Sequence, residues 1–314
     1  MPSETTKKAN KVNSKNIATA LEVWENPNPQ LKDVTFLAKE FIQVTLPHSN
    51  PRGNPAAWQR KNGNITLSIR PDHKEDPKTG ELVARYPYGT IPRLFLYWLN
   101  TEVVRKKSRE IELGSSLNGF LEDLGLNPAN GRGKRSDAFR TKDQLDRLLG
   151  SVITFRYDDD NKTSRVNVPV ATSSTIWWQH KEPDQKGLFT SKIVVSQELY
   201  DIFMGAPVPH DLRLLKTLKN SALALDLYSW LLTRIYASLY QDKVQFIPWR
   251  ALAKQFGSEY ADPKNFKKKA RDTLKKINAI YGNQLPIEQV NGGVEVYPSD
   301  KALQFLVPPK NSWL

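Results

Sequence analysis

At 314 residues the chain is long enough for two ordinary domains, each with a core of its own. It contains no cysteine, which excludes disulfides and thiolate metal sites, and no apolar run near the ~18–20 residues that span a bilayer. Its formal net charge of +13 and pI near 9.6 favour polyanionic partners, through counterion release where the partner is nucleic acid.

Met1 is followed by PSETTKKANK, without the apolar segment of a secretory signal, so the expected location is the cytoplasm. Residues 1–30 read as a flexible polar arm that ends in the NPNPQ turn, Asn26–Gln30. TFLAKEFIQVTL, within Asp33–Leu46, is apolar without a clear period and fits helix or strand equally. His48–Asn64 is rich in Pro, Gly and Asn and predicts a loop; Ile65–Ile69 alternates like a strand; Pro71–Gly80 predicts another loop.

From Ile91 the chain runs through an order of elements that returns from Ala222. Each copy opens with a long apolar helix, IPRLFLYWLNTEVVRK and then ALALDLYSWLLTRIYASLY. A strand follows, REIEL (Arg109–Leu113) and KVQFI (Lys243–Ile247), and then a short helix, Leu117–Gly125 and Trp249–Gly257. A basic helix comes next, Ser136–Gly150 and Asn265–Gly282, and a β-hairpin closes each copy. Thr90 with Pro92 marks a standard helix start. The first hairpin is read at Ser151–Tyr157 and Ser164–Val170, extended by Gly187–Val195 and Ser173–Trp178. The second is read at Pro286–Val290 and Val294–Tyr297. Gln197–Met204 reads as a short helix and Pro207–Asn220 as a linker. Helix, strand, helix, helix, hairpin is the order of a winged helix. The expected fold is therefore α+β and helix-rich, with tandem winged-helix domains bearing β-hairpin wings. The expected boundaries are 31–215 for the N-terminal domain and 216–314 for the C-terminal one.

In the second basic helix Phe266, Ala270, Leu274, Ile277 and Tyr281 make one apolar stripe. The opposite face carries Lys264, Lys268, Lys269, Arg271, Asp272, Lys275 and Lys276, with Asn265 near the start. A recognition helix needs this division, with an apolar back held on the domain and a polar front entering the major groove. Lysine suits phosphates and guanine acceptors, and asparagine suits adenine. A run of nearly one sign is unlike the mixed charges of a salt-bridged surface helix. In the first basic helix Phe139, Leu145, Leu148 and Leu149 are expected inside. Arg135, Arg140, Lys142, Gln144 and Arg147 are expected outside with Asp137 and Asp143, and Arg132 and Lys134 just precede them. Arginine suits guanine edges and Gln144 suits adenine. Asp158, Asp159 and Asp160 at the first hairpin tip repel phosphate, so that wing is expected to face away from DNA or to bind a protein partner. Arg105, Lys106, Lys107 and Arg109 fit phosphate contact and a charged helix end equally well.

Catalytic motifs are missing. Asn130–Ser136 (NGRGKRS) lacks the earlier glycine of a phosphate loop and has Arg135 where Ser or Thr is required. His48, His73, His180 and His210 are too scattered for a zinc spacing or for the His-x-His site of nicking replication enzymes. Trp177 and Trp178 suit base stacking or a core. No enzyme, cofactor or metal is expected.

The segments Thr90–Leu126, Ala224–Ile235 and Phe246–Ile277 resemble plasmid-encoded replication initiators of the RepA type, within a group that includes TrfA-like proteins. The Pro-Trp-x-x-Leu-x-x-Gln-Phe-Gly run, Pro248–Gly257, is the most specific piece, and the resemblance spans Pro87 to Pro298. It implies a bacterial tandem winged-helix protein that binds direct repeats (iterons) in double-stranded plasmid origin DNA, and bends and opens adjacent AT-rich DNA. It also implies recruitment of the host replicative helicase and the DnaA initiator, a role in copy control, and Ser136–Gly150 and Asn265–Gly282 as the reading helices. Monomer and homodimer are both left open. The rival readings are an operator-binding repressor, a nicking enzyme or primase, and a nucleoid protein that ignores sequence.

Overall fold

The computed structural model describes residues 29–114, 117–127, 135–176, 191–257 and 260–301, together with residues 18, 21–23, 25, 26 and 133. Of the predicted arm, 1–30, residues 1–17 lie outside them, as do the Trp177–Trp178 pair and the Gly187–Thr190 extension; residues 18, 21–23 and 25 of the arm are helical, and Val23 is buried. The chain divides into two compact units, Phe36–Val208, and Met1–Thr35 with Pro209–Leu314.

The ambiguous apolar run resolves into both forms, strand β1 (Val34–Ala38) and then helix α1 (Lys39–Gln43). Every residue of β1 is buried, so it has no alternation to betray it. Strands β2 (Trp58–Asn62) and β3 (Ile65–Arg70) follow, then the hairpin β4 (Asp72–Glu75) and β5 (Leu82–Arg85). The two predicted loops thus contain strands. WQRKN and DHKE are polar and offered no apolar period; in β2 only Arg60 is buried, donating to the Thr45 hydroxyl and the Leu46 carbonyl.

Helix α2 (Ile91–Lys106) begins with proline in its first turn and ends at Lys107, which has a φ of 51°. Thr90 holds the N-cap position without a side-chain bond to the helix. Strand β6 (Glu110–Glu112) and helices α3 (Leu117–Asp123) and α4 (Asp137–Leu149) come next. Phe120 stands edge-on to Trp98 at 5.2 Å, which fastens α3 to α2. The Ser136 hydroxyl caps α4 by accepting from the Phe139 amide at 3.2 Å.

Strands β7 (Val152–Asp159) and β8 (Lys162–Pro169) form the predicted hairpin but not the predicted sheet. They join β2 and β3 in a four-stranded antiparallel sheet ordered β2-β3-β7-β8. Leu67 faces Phe155 and Ile69 faces Ile153 across β3 and β7, and Phe41 of α1 packs edge-on to Phe155 at 5.3 Å. The next hairpin, β9 (Ala171–Thr175) and β10 (Lys192–Val195), is the one that closes on β6, in the order β6-β10-β9. Alternation identifies a hairpin but not its partner; the Ile-x-Leu-x-Ile face of β3 claimed β7. Helix α5 (Gln197–Gly205) completes this unit with a Ser196 cap.

Pro207–Asn220 is not a free linker. It forms strand β11 (Pro207–Asp211) and helix α6 (Leu212–Leu218), with His210, Asp211, Leu214, Leu215 and Leu218 buried. Helix α7 (Ala222–Gln241), strand β12 (Gln245–Pro248), helices α8 (Trp249–Phe256) and α9 (Pro263–Ile280), and strands β13 (Ile287–Val290) and β14 (Gly293–Val296) follow in the predicted order. Their sheet runs β12-β14-β13, so the first strand pairs with the last, as β6 pairs with β10. Ile247 faces Val294 here and Ile111 faces Ile193 there, all buried.

A buried polar chain secures the end of α9. The Asp211 carboxylate takes the Arg213 guanidinium at 2.7 Å, and the Tyr228 hydroxyl accepts from the Asp211 amide at 3.0 Å. The same hydroxyl lies 3.2 Å from that of Tyr281, the residue that ends α9. Burial pushes the Tyr281 phenol well above its usual range and pushes the Asp211 carboxyl up despite its partner.

Candidate nucleic-acid interface

The division of α9 is as predicted. Phe266, Ala270, Leu274, Ile277 and Tyr281 are buried; Lys264, Asn265, Lys268, Lys269, Arg271, Lys275 and Lys276 are exposed. Asp262 caps the helix, accepting from the Lys264 amide at 2.8 Å, and Pro263 begins it. A shallow open concavity of about 340 Å³ lies among Lys264, Lys267, Lys268, Arg271, Asp272 and Lys275. Among the described residues no ion pair engages these lysines, so their charge is uncompensated except by Asp272. Lys267, which the sequence pattern did not single out, is exposed beside them.

The β13–β14 hairpin is tied to this helix by a reciprocal pair of bonds. Arg271 Nε donates to Gln289 Oε1 at 3.2 Å, and Gln289 Nε2 donates to the Arg271 carbonyl at 3.0 Å. This leaves both terminal nitrogens of Arg271 for a ligand, in the forked geometry that suits a phosphate or a guanine edge. Gln289 carried no signal in the sequence, because its role depends on the register of β13. On α8, Arg250 and Lys254 are exposed as well.

Helix α4 differs from its prediction by a rotation. Gln144 is 6% exposed, and its Oε1 accepts from the Tyr88 amide at 2.9 Å. Arg147 turns inward, bonding Asp143 at 2.8 Å and the Tyr86 carbonyl at 3.4 Å, with its guanidinium 5.5 Å from the Tyr88 ring centre. Arg85 also reaches Asp143, at 3.2 Å, and Asp72 at 3.3 Å. The β4–β5 hairpin and Tyr86–Tyr88 therefore cover the side of α4 on which two DNA readers were expected. The close approach shows at Gly150, where a Cβ would lie 2.8 Å from Asp72 Cβ. Conversely, Phe139, expected inside, is 41% exposed, and Leu149 is half-buried. What α4 offers to solvent is Phe139 and Arg140, with Lys142 half-buried, and Arg135 is exposed just before its cap. Arg140 lies 3.5 Å from Asp137. Arg132 and Lys134 lie outside the described residues.

At the β7–β8 tip Arg156 holds Asp158 at 2.7 Å, and this hydrogen bond keeps the carboxyl below its usual range. Of the cluster at the end of α2, Lys106 pairs with Glu102, one turn back in the same helix, at 2.9 Å. Among the described residues no group of three or more His, Asp or Glu side chains gathers as a metal site, and no helix is long and apolar enough to cross a membrane.

A sequence model of the family described as "Plasmid encoded RepA protein" matches residues 86–250, just over half of the chain. The match runs from just before α2 to the start of α8. Among solved structures, the chain is similar to the crystal structure of SeMet derivatives of domain 2 and domain 3 of RctB. The two share 11% identity and a TM-score of 0.48, over 80% of this chain and 93% of that one. No curated protein matches in sequence.

Proposed function

The chain belongs to the family of plasmid-encoded RepA proteins, plasmid replication initiators, and from that premise we propose that it acts by binding direct repeats at a plasmid origin through two winged helices. The observation that carries this reading is α9, an apolar back seated in the core and a lysine-rich front with no ion-pair partners among the described residues. The shared strand orders β6-β10-β9 and β12-β14-β13 support reading both copies as winged helices, with β9–β10 and β13–β14 as the wings. On this reading β7–β8 is an insertion between reading helix and wing in the first copy.

Lys264, Asn265, Lys268, Lys269, Arg271, Lys275 and Lys276 contact DNA from α9, joined by Lys267. Arg140 and Lys142 contact it from α4, and Arg132, Lys134 and Arg135 from just before it. Gln144 and Arg147 act instead as internal supports of α4. Phosphate contacts supply most of the affinity, and side chains in the groove supply the choice of sequence. Two reading helices of unlike sequence suit a direct repeat, which need not be a palindrome. The energy of bending then favours melting of a flexible neighbouring segment. Host helicase and DnaA bind the opened complex, the protein is a cytoplasmic non-enzyme that needs no cofactor, and occupancy of the repeats limits copy number.

The test is a footprint on DNA flanking the gene, with a chemical probe for unpaired thymines. Evenly spaced protected direct repeats beside reactive thymines support the reading. One protected inverted repeat without reactive thymines would replace it with an operator-binding repressor.

A further inference from the structure

Phe139 is an apolar side chain that α4 leaves outside. It stands three residues past the Ser136 N-cap, where the Ser136 hydroxyl binds its amide, and it is 41% exposed. Arg135, just before the cap, and Arg140, the next residue, are exposed as well. An exposed phenyl ring with arginines close to it in sequence matches a ligand that offers apolar surface within an anionic frame. The floor of the major groove is such a ligand at thymine, whose C5-methyl is the apolar feature of the base-pair edges, between phosphate backbones. The first residues of a recognition helix are those that reach base edges. The second copy offers a parallel. Three residues past its N-cap, Asp262, stands Asn265, also exposed, a side chain suited to the adenine edge.

We propose that Phe139 is a specificity-determining residue that reads a thymine methyl in the major groove, and that the two copies each read an A·T pair from the same helical position. This rests on the reading of α4 and α9 as groove-entering helices. The neighbours divide the labour: Arg135 and Arg140 hold phosphate or guanine, while Phe139 distinguishes thymine from cytosine by its methyl group.

The experiment uses the full chain and a duplex pool of randomised sequence. Preferred sequences are selected with the wild type and with Phe139→Ala, and each fixed thymine is then replaced singly by deoxyuridine, which lacks only the methyl. One replacement should weaken wild-type binding about four-fold, the worth of one buried carbon group, and leave Phe139→Ala unaffected. Phe139→Leu, which keeps an apolar side chain, should retain the dependence; melting temperatures of all three proteins should agree, because the ring is at the surface. Indifference of the wild type to every replacement would overturn the inference while the groove reading stands. An equal four-fold loss in Phe139→Ala would do the same. A pool that yields no preferred sequence would remove the groove reading itself, and the inference with it.

Discussion

At Gly293 the Cβ of any other residue would lie 2.4 Å from the Ile247 carbonyl oxygen and 2.7 Å from the Phe246 ring. Gly293→Ala must push β14 off β12, and thermal melting should show a loss of about 1–3 kcal/mol, the usual cost of overpacking. Glu40 carries the opposite expectation. It is buried, its Oε2 has no hydrogen-bond partner among the described residues, and burial pushes its carboxyl above the usual range. The folded state therefore keeps a proton that the unfolded chain has released, so this group's contribution falls as pH rises from the unfolded pKa to the raised folded one. Glu40→Gln should raise the melting temperature at neutral pH and flatten its dependence across that window. On α9, replacing Lys268 and Lys269 with Ala should weaken binding to every duplex and reduce the slope of log K against log salt by about two. Unchanged slopes would remove α9 from the interface. These residues were legible because one-sided charge on a long amphipathic helix has a single satisfactory orientation. Gln144 and Phe139 were not. The period of α4 allows a rotation of one residue, and the segment just after the β4–β5 hairpin supplies the Tyr88 amide and the Tyr86 carbonyl that favour Gln144 and Arg147 inward.

The bond pair between Arg271 and Gln289 couples two elements, α9 and β13. Gln289→Ala should leave the salt slope nearly unchanged but reduce discrimination among base pairs, because Arg271 loses its orientation and keeps its charge. A double-mutant cycle with Arg271→Ala should show a coupling of about 0.5–1 kcal/mol in DNA binding; additive effects would mean that the two elements read independently. Elements with strong periods, such as α2, α7, α9 and the β13–β14 hairpin, were recoverable from sequence to within a few residues. Those that failed share a cause. β2 and β4 have polar faces, β1 is buried on all sides, and β11 with α6 is too short to separate its apolar residues from a linker's. Each takes its conformation from neighbours distant in sequence.

For the whole molecule, the excess of 46 Lys and Arg over 33 Asp and Glu predicts attraction to any duplex at low salt. Specific protection should therefore emerge from nonspecific coverage as salt rises, over about 20 base pairs for one chain, two successive grooves with their flanks. A footprint that stays uniform at every salt concentration would leave a nucleoid-type binder. The repeated order of elements was visible at this scale because each copy must bury its own long helix. The pairing of strands was not, since β6 has to wait for a partner that alternation alone does not name. Glu112 pairs with Lys192, eighty positions on, whereas Pro248 pairs with Gly293 within a much shorter span. On a ribosome adding about 5–20 residues per second, β6 leaves the exit tunnel roughly 4–16 s before the strand that completes its sheet. For that interval the nascent chain carries an open strand edge, exposed to chaperones, proteases and neighbouring chains on the same message. Translation aborted between those two strands releases a fragment that keeps the edge and never acquires its partner.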